Sequence, residues 1–352
     1  MNRECFISTS SINVIEALKK IDIGGRGILF IVDHNRCLLG CITDGDIRRW
    51  IIKSNDLNAK VSIFMNRSPK YLFKSDIHKA SEYMKKYPIS AIPILNEDKE
   101  IEDIIFQKYD QDEPSKEIEG ILKDTSVVVM AGGKGTRLYP YTKILPKPLI
   151  PIGDIPIIER ITNRFVEYGV KEFFFTVNYK KGMIKSYFDD LNPKYDIQYV
   201  EENKPLGTAG SLRLILKRFQ KPFFVTNCDV LIDADYEDLY RYHVTSKNKI
   251  TIISALKNIS IPYGVLKLKE GGEISSMEEK PSISNFINTG MYVINPELIE
   301  LIPEDTFYHM PQLAEEAIKQ GMKVSAYPIS EDAYLDMGEI EEMKRMEQKL
   351  KV

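Results

Sequence analysis

The sequence predicts a doubly wound α/β sheet preceded by a smaller α+β unit. Strand-like and helix-like apolar segments alternate from Val127 onward, and the front part repeats one order of elements twice. Between these parts, residues 107–124 are half charged and lose the apolar periodicity. We therefore expect a front domain at 1–106, a linker at 107–124 and a second domain at 125–352.

The front domain contains two copies of one short unit. The first copy is predicted as helix, strand, turn, strand and helix, at 14–18, 28–32, 33–36, 37–42 and 44–52. The second copy follows the same order, with a helix at 78–86, strands at 91–95 and 101–106, and a turn at 96–99. Because neither copy buries its apolar faces alone, we expect the two copies to pack against each other.

The second domain begins with an unbroken apolar run at 127–131. Such a run is typical of a central parallel strand that is buried on both faces. Further elements are predicted as helices at 155–169, 182–190 and 211–219 and as strands at 173–177, 197–200 and 223–226. Sheets of this kind bind ligands beyond the carboxyl ends of their strands, so the residues after each strand are the candidates for a site.

Composition excludes several classes of function. The formal net charge of -3 gives no electrostatic reason to expect binding to nucleic acid or to an anionic membrane surface. The four cysteines have neither metal-ligand nor disulfide spacing, and no run approaches 18 apolar residues. We therefore expect a cytoplasmic protein with no membrane partner.

A glycine-rich loop follows the first strand of the second domain. The segment Gly-Gly-Lys-Gly-Thr-Arg at 132–137 allows close approach of a ligand and can direct successive N–H groups at an anion. Its spacing is neither that of a P-loop nor that of a dinucleotide fingerprint, and alone it would be a plain turn. However, Lys147 follows between Pro146 and Pro148, which stiffen the backbone that carries it. A rigidly held Lys suits a phosphate clamp.

The stretch from Val127 to Asp154 resembles the signature of the sugar-phosphate nucleotidyltransferases, which make nucleotide-sugars. The resemblance implies a Rossmann-like sheet and places Arg137 and Lys147 at the phosphates of a nucleoside triphosphate. The reaction needs no general base, because the attacking sugar phosphate oxygen is already anionic at neutral pH. This agrees with the histidines, all of which lie outside the motifs: His34, His78, His243 and His309.

Further motifs of this family follow in its order along the chain. The resemblance makes Asp229 and Asp336 ligands of Mg²⁺, and these two with Arg137 and Lys147 form the implied catalytic set. One departure is Cys228, which stands where the family commonly has Gly. The residues implied to bind the nucleotide are Gly132, Gly133, Gly135, Thr136, Gly207 and Thr208. Those implied to bind the sugar phosphate are Gly264, Glu279, Lys280, Asn288 and Thr289.

The segment at 38–49 resembles a CBS domain, and residues 61–106 resemble its paired second copy. The resemblance implies an adenine or guanine nucleotide held by Thr43 and Asp46. The second copy has Phe106 and Tyr109 at the matching positions, so at most one such site is intact. The alternative is a dimerisation module without a ligand; in either case we expect a homo-oligomer formed through this domain.

A CBS pair ahead of a short transferase domain resembles the guanylyltransferases of bacterial amino-sugar and legionaminic-type acid pathways. The resemblance implies GTP and glucosamine 1-phosphate as substrates. Uridylyl or thymidylyl transfer to glucose 1-phosphate or another hexose 1-phosphate is the alternative within the class. A nucleotide-sensing regulatory protein with an inactive transferase domain is the alternative outside it. The five charges Arg137, Lys147, Asp229, Lys280 and Asp336 argue against an inactive domain.

Overall fold

The computed structural model describes residues 3–87, 89–106 and 122–350. The chain divides into two units, Met1–Ser115 and Lys116–Val352. Except for residues 122–124, the predicted linker lies outside the described ranges. None of the helices described in these ranges is long and apolar enough to cross a membrane.

The front unit contains two three-stranded sheets with the same internal order. In each sheet the first two strands are parallel and the last two antiparallel. The strands are β1 (Ile7–Thr9), β2 (Ile28–Val32), β3 (Leu38–Thr43), β4 (Leu72–Phe73), β5 (Ala91–Leu95) and β6 (Ile101–Phe106). The helices are α1 (Val14–Gly24), α2 (Asp44–Ser54) and α3 (Ala80–Lys86).

The two halves of the front unit pack together, as the repeat predicts. Their hairpin turns exchange backbone hydrogen bonds, from Leu38 N–H to the Lys99 carbonyl (3.0 Å) and from Ile101 N–H to the Arg36 carbonyl (3.4 Å). One apolar cluster contains side chains of both sheets, including Phe30 from the first. The shared core explains why one copy alone would leave its apolar face exposed.

The two residues of the front unit that were predicted to bind a nucleotide, Thr43 and Asp46, form a helix cap. Thr43 Oγ1 accepts a hydrogen bond from Asp46 N–H, and Asp46 Oδ2 accepts one from Thr43 N–H (2.9 Å), so the pair is a capping box at the start of α2. The other Asp46 oxygen is paired with Arg49 at 2.6 Å. Tyr109, the counterpart of Asp46 in the second copy, lies outside the described residues.

The second unit is built on a seven-stranded sheet flanked by helices. Its sheet order is β11-β10-β7-β12-β17-β14-β18. The strands of this unit are β7 (Ser126–Met130), β8 (Pro151–Ile152), β9 (Ile155–Pro156), β10 (Glu172–Val177), β11 (Asp196–Glu201), β12 (Phe223–Asn227), β13 (Val230–Ile232), β14 (Ile250–Ser260), β15 (Val265–Leu268), β16 (Ile274–Glu278), β17 (Ser282–Ile294), β18 (Val324–Ile329) and β19 (Tyr334–Asp336). The helices are α4 (Tyr141–Ile144), α5 (Ile157–Val166), α6 (Lys181–Leu191), α7 (Gly207–Gly210), α8 (Tyr236–Thr245), α9 (Met310–Lys319) and α10 (Ile340–Leu350).

Strand β7 lies inside the sheet and is buried on both faces, as its apolar run predicts. Val127 and Val129 belong to one core cluster, whereas Val128 and Met130 belong to the cluster on the opposite face. Side chains along a strand alternate between the two faces, so both faces must be covered by other elements. The sheet is therefore covered on both sides, which is the doubly wound arrangement.

Three features differ from the sequence predictions. Strand β17 is antiparallel to both β12 and β14, so the sheet is mostly rather than wholly parallel. The helix predicted at 211–219 is replaced by a 3-10 turn, Ser211–Ile215, and the chain then turns at Lys217, whose φ is +69°. The helix predicted at 155–169 begins only at Ile157, because the preceding Pro156 is extended and pairs in β9.

A chain beginning at Lys116 is expected to fold without the front unit. Among the described residues, both core clusters that flank β7 consist of side chains from the second unit. Circular dichroism should show native-like α/β structure and one cooperative thermal transition. A truncated chain that melts without a cooperative transition would contradict this assignment of units.

Candidate active site

Glycine allows close contacts at two positions of the loop after β7. A side chain at Gly132 would place its Cβ 2.9 Å from Glu202 Oε1. Gly135 has a φ of +63°, and a Cβ there would lie 2.8 Å from the Cβ of Lys147. The absence of a side chain at Gly135 therefore lets the loop close onto Lys147, and its absence at Gly132 leaves room for the Glu202 carboxylate.

Lys147 and Asp229 form a buried ion pair. The Lys147 ammonium contacts Asp229 Oδ2, and the two side chains are only 10% and 12% exposed. Lys147 begins a short 3-10 turn, Lys147–Leu149, and Asp229 lies between β12 and β13, separated from the end of β12 by Cys228. Because water is largely excluded, each charge depends on the other or on a bound ligand for compensation.

A two-stranded ladder brings Asp336 to Asp229. Strand β19 pairs with β13 so that Asp336 lies opposite Val230, and Met337 N–H donates to the Asp229 carbonyl at 2.8 Å. Burial raises the pKa of the Asp336 carboxyl and the charge of Asp229 raises it further, whereas Lys147 and Arg137 oppose the rise. Residues far apart in sequence thus form one cluster of two carboxylates and two cations.

Two adjoining cavities surround this cluster. The first, of about 350 Å³, is lined by the glycine loop and by residues that follow β11 and β12. The second, of about 420 Å³, is lined by residues of β17 and β19. Both are lined by Arg137, Thr208, Asn227, Asp229 and His309, so these residues mark the junction of the two cavities.

Most of the residues predicted from the sequence meet at these cavities. The first cavity contains Gly132, Gly133, Gly135, Thr136, Arg137, Lys147, Gly207, Thr208 and Asp229. The second contains Arg137, Thr208, Asp229, Asn288, Thr289 and Asp336. The glycine loop and the predicted sugar-phosphate residues Asn288 and Thr289 therefore lie on opposite sides of one junction.

Three predicted sugar-phosphate residues lie elsewhere. Gly264, Glu279 and Lys280 flank the exposed hairpin of β15 and β16, outside the residues that line either cavity. A Cβ at Gly264 would lie 3.0 Å from Glu279 Oε2, so these two residues are neighbours. Their proposed contacts with the sugar remain a prediction.

Glu202 and His309 are cavity residues that the sequence analysis did not select. Glu202 is 7% exposed, and its Oε2 accepts a hydrogen bond from Leu206 N–H at 3.3 Å. Burial raises the pKa of its carboxyl, and the Leu206 hydrogen bond opposes this rise. Its position directly after β11 was a usable signal, since ligands bind at strand ends. His309 precedes α9 and follows a segment without strand or helix, so no such signal was available.

The α/β sheet with cations and carboxylates gathered at its strand ends is typical of enzymes that act on phosphorylated ligands. Residues 126–351 match the family model described as nucleotidyl transferase, and the chain belongs to this family.

Named relatives are similar over about half of the chain. A mannose-1-phosphate guanyltransferase of Yarrowia lipolytica is 36% identical over 202 residues, which cover 53% of this chain and 55% of that protein. The protein of the same name from Saccharomyces cerevisiae is 34% identical over 184 residues, or 50% and 51% of the two chains. The chain thus spans about half the length of the curated relatives it matches. The crystal structure of HddC from Yersinia pseudotuberculosis is similar with a TM-score of 0.51 and 25% identity, covering 64% of this chain and 99% of that one.

Replacement of Gly135 by alanine is expected to destabilise the second unit. The new Cβ would meet Lys147 and the Thr142 methyl group (3.0 Å) at a positive φ, at a cost of about 1–3 kcal/mol. Thermal denaturation should show a fall of several degrees. Gly133→Ala is the matched control for stability, because no heavy atom lies within 4 Å of its new Cβ. Equal melting temperatures for the two variants would show that the loop does not close on Lys147.

Proposed function

We propose that the protein transfers a nucleotide from a nucleoside triphosphate to a sugar 1-phosphate. The observation that supports this is the convergence of Arg137, Lys147, Asp229 and Asp336 around the two adjoining cavities. In the reaction an oxygen of the sugar phosphate forms a bond to the α-phosphorus. The bond from the α-phosphorus to the oxygen that bridges to the β-phosphorus breaks, and pyrophosphate leaves with the electron pair.

The residues contribute alignment and charge rather than proton transfer. The glycine loop directs backbone N–H groups toward the triphosphate, and Lys147 and Arg137 neutralise the charge that develops on the phosphate oxygens. The attacking oxygen is already anionic, so a base is not required. The nearly buried position of Lys147 strengthens its interaction with phosphate because the surroundings contain little water.

Mg²⁺ fits the donor set at the junction. Asp229 and Asp336 supply carboxylate oxygens, and burial together with the charge of Asp229 raises the pKa of Asp336, which a cation would reverse. Among the described residues there is no cluster of three or more metal-binding side chains. Two carboxylates suit Mg²⁺, which commonly completes its coordination with phosphate oxygens and water. The ion would neutralise the charge of the two phosphate groups as they approach each other.

GTP is the proposed nucleotide. Guanine presents two donors, N1–H and the N2 amino group, on one edge, and a carboxylate can accept both. The buried Glu202 carboxylate lines the first cavity next to Gly132 and so supports guanine over other bases. The names of the Yarrowia and Saccharomyces relatives, both guanyltransferases, also favour GTP. UTP or dTTP is the alternative.

The proposed acceptor is a hexose or hexosamine 1-phosphate. Glucosamine 1-phosphate follows from the resemblance of the whole chain to guanylyltransferases of legionaminic-type acid pathways. Mannose 1-phosphate is the alternative that the names of the relatives suggest. Glucose 1-phosphate remains the acceptor to test with UTP or dTTP. A catalytically inactive nucleotide sensor would instead bind nucleotide without releasing pyrophosphate.

The front unit is proposed to be a CBS pair that binds a nucleotide or joins copies of the chain. Two sheets of identical internal order that share one core support the pair. The capping-box role of Thr43 and Asp46 favours a structural over a ligand-binding function for these two side chains. Titration of the isolated front unit with adenine and guanine nucleotides, alongside its mass in solution, separates the two roles.

Asp229→Asn is expected to lower kcat for pyrophosphate release roughly 100-fold or more, because a hard-cation ligand and the charge partner of Lys147 are both lost. The matched control is Asp233→Asn, since Asp233 lies just after β13 but is 72% exposed and pairs with Arg164. A folded Asp229→Asn enzyme with normal turnover would refute the metal assignment, and the melting temperature must be checked because Lys147 is left unpaired.

Glu202→Gln is expected to change base preference. A glutamine offers one acceptor and one donor, which suits uracil or thymine and leaves one guanine donor unmatched. The ratio of kcat/KM for GTP to that for UTP should fall about 10- to 100-fold. The ratio is measured for the unmodified protein and for Glu202→Gln with a panel of four nucleoside triphosphates, each combined with glucosamine, mannose and glucose 1-phosphates. An unchanged ratio in a stably folded variant would exclude Glu202 from base recognition.

A further inference from the structure

His309 lies at the junction of the two cavities. It precedes α9 and lines both the nucleotide-side and the sugar-side cavity, together with Arg137 and Asp229. Its backbone N–H donates to Gln312 Oε1 at 2.8 Å, and its ring packs edge-on against Phe307 with centroids 4.7 Å apart. Backbone and ring are therefore both held in place.

Hydrogen bonds from Thr208 define which ring nitrogen carries the hydrogen. The Thr208 N–H donates to His309 Nδ1 at 3.4 Å. Thr208 Oγ1 accepts from Met310 N–H at 3.1 Å, which leaves its own hydrogen available to Nδ1 at 3.3 Å. Since Nδ1 accepts, a neutral imidazole must carry its hydrogen on Nε2. These contacts engage Nδ1 and leave Nε2 as the polar atom available to a ligand.

We propose that His309 Nε2–H donates a hydrogen bond to a phosphate oxygen of the substrates at the junction. This inference rests on the proposed nucleotidyl transfer. Lys147 is already paired with Asp229, and Arg137 lies beside Asp336, where a Cβ at Gly338 would be 3.0 Å from Asp336 Oδ2 and 3.3 Å from Arg137 Nη1. A further N–H donor beside these charged groups adds stabilisation of a phosphate oxygen.

The test compares His309→Gln with His309→Asn. The glutamine amide reaches the position of Nε2, whereas the asparagine amide reaches that of Nδ1. Asparagine is the better helix cap, so a purely structural role predicts that His309→Asn is the less harmful variant. A phosphate contact through Nε2 predicts the reverse order.

We expect His309→Asn to lower kcat/KM for pyrophosphate release about 10- to 100-fold and His309→Gln to stay within about fivefold of the unmodified protein. Both variants should keep the unmodified melting temperature. His78→Gln, at an exposed position of the front unit, is the control and should retain full activity. Equal activity of all the variants, or greater loss in His309→Gln than in His309→Asn, would overturn the proposal.

A spectroscopic measurement tests the same contact without turnover. With ¹⁵N-labelled histidine, long-range NMR correlations should show the Nε2–H form for His309, assigned by its loss in His309→Gln. Addition of α,β-methylene-GTP, which cannot transfer its nucleotide, should shift the Nε2 resonance. An Nδ1–H form, or no shift at saturating ligand, would overturn the contact. If the unmodified protein releases no pyrophosphate with any substrate pair, the proposed function fails and this measurement alone decides the role of His309.

Discussion

The arrangement of the site depends on the buried ion pair between Lys147 and Asp229. Removal of two charges from water costs several kcal/mol per ion, so the pair is retained only where other contacts hold both groups in position. Two prolines stiffen the Lys147 backbone, the missing side chain of Gly135 admits the loop against it, and the β13–β19 ladder fixes Asp229 next to Asp336. Each of these features holds the Lys147 ammonium or the Asp229 carboxylate in position for the binding of a phosphate group.

The sheet explains why such distant residues converge. Parallel strands β7, β11 and β12 end at one edge, which places the glycine loop, Glu202 and Asp229 around one cavity. The antiparallel β17 runs away from that edge, and its Asn288 and Thr289 reach the second cavity from within the strand rather than from a loop. Because β17 runs opposite to its neighbours, its residues line the second cavity, which meets the first cavity at the junction.

Sequence patterns predicted those parts of the fold that depend on local periodicity. β2, β5 and β6 have the predicted bounds, and the loop with Lys147 and Asp229 lies at strand ends as expected. The reversal of β17 was not predictable, because strand direction depends on pairing with distant residues. The helix predicted at 211–219 was wrong: the segment begins as the 3-10 turn Ser211–Ile215 just after Gly207 and Gly210, which approach the backbone of residues 306–308 through a contact set by tertiary structure. His309 was missed for the same reason: only the fold brings it to Thr208.

The proposed function requires that the guanosine 5′-phosphate group of GTP is transferred to a sugar 1-phosphate at the Lys147–Asp229 pair. Incubation of the protein and Mg²⁺ with GTP labelled at the α-phosphorus, and with glucosamine 1-phosphate or mannose 1-phosphate, tests it most directly. The label should appear in a nucleotide-sugar, and the released pyrophosphate should be unlabelled. Label that stays in GTP, or that appears as free GMP or GDP whichever sugar phosphate is supplied, would contradict it.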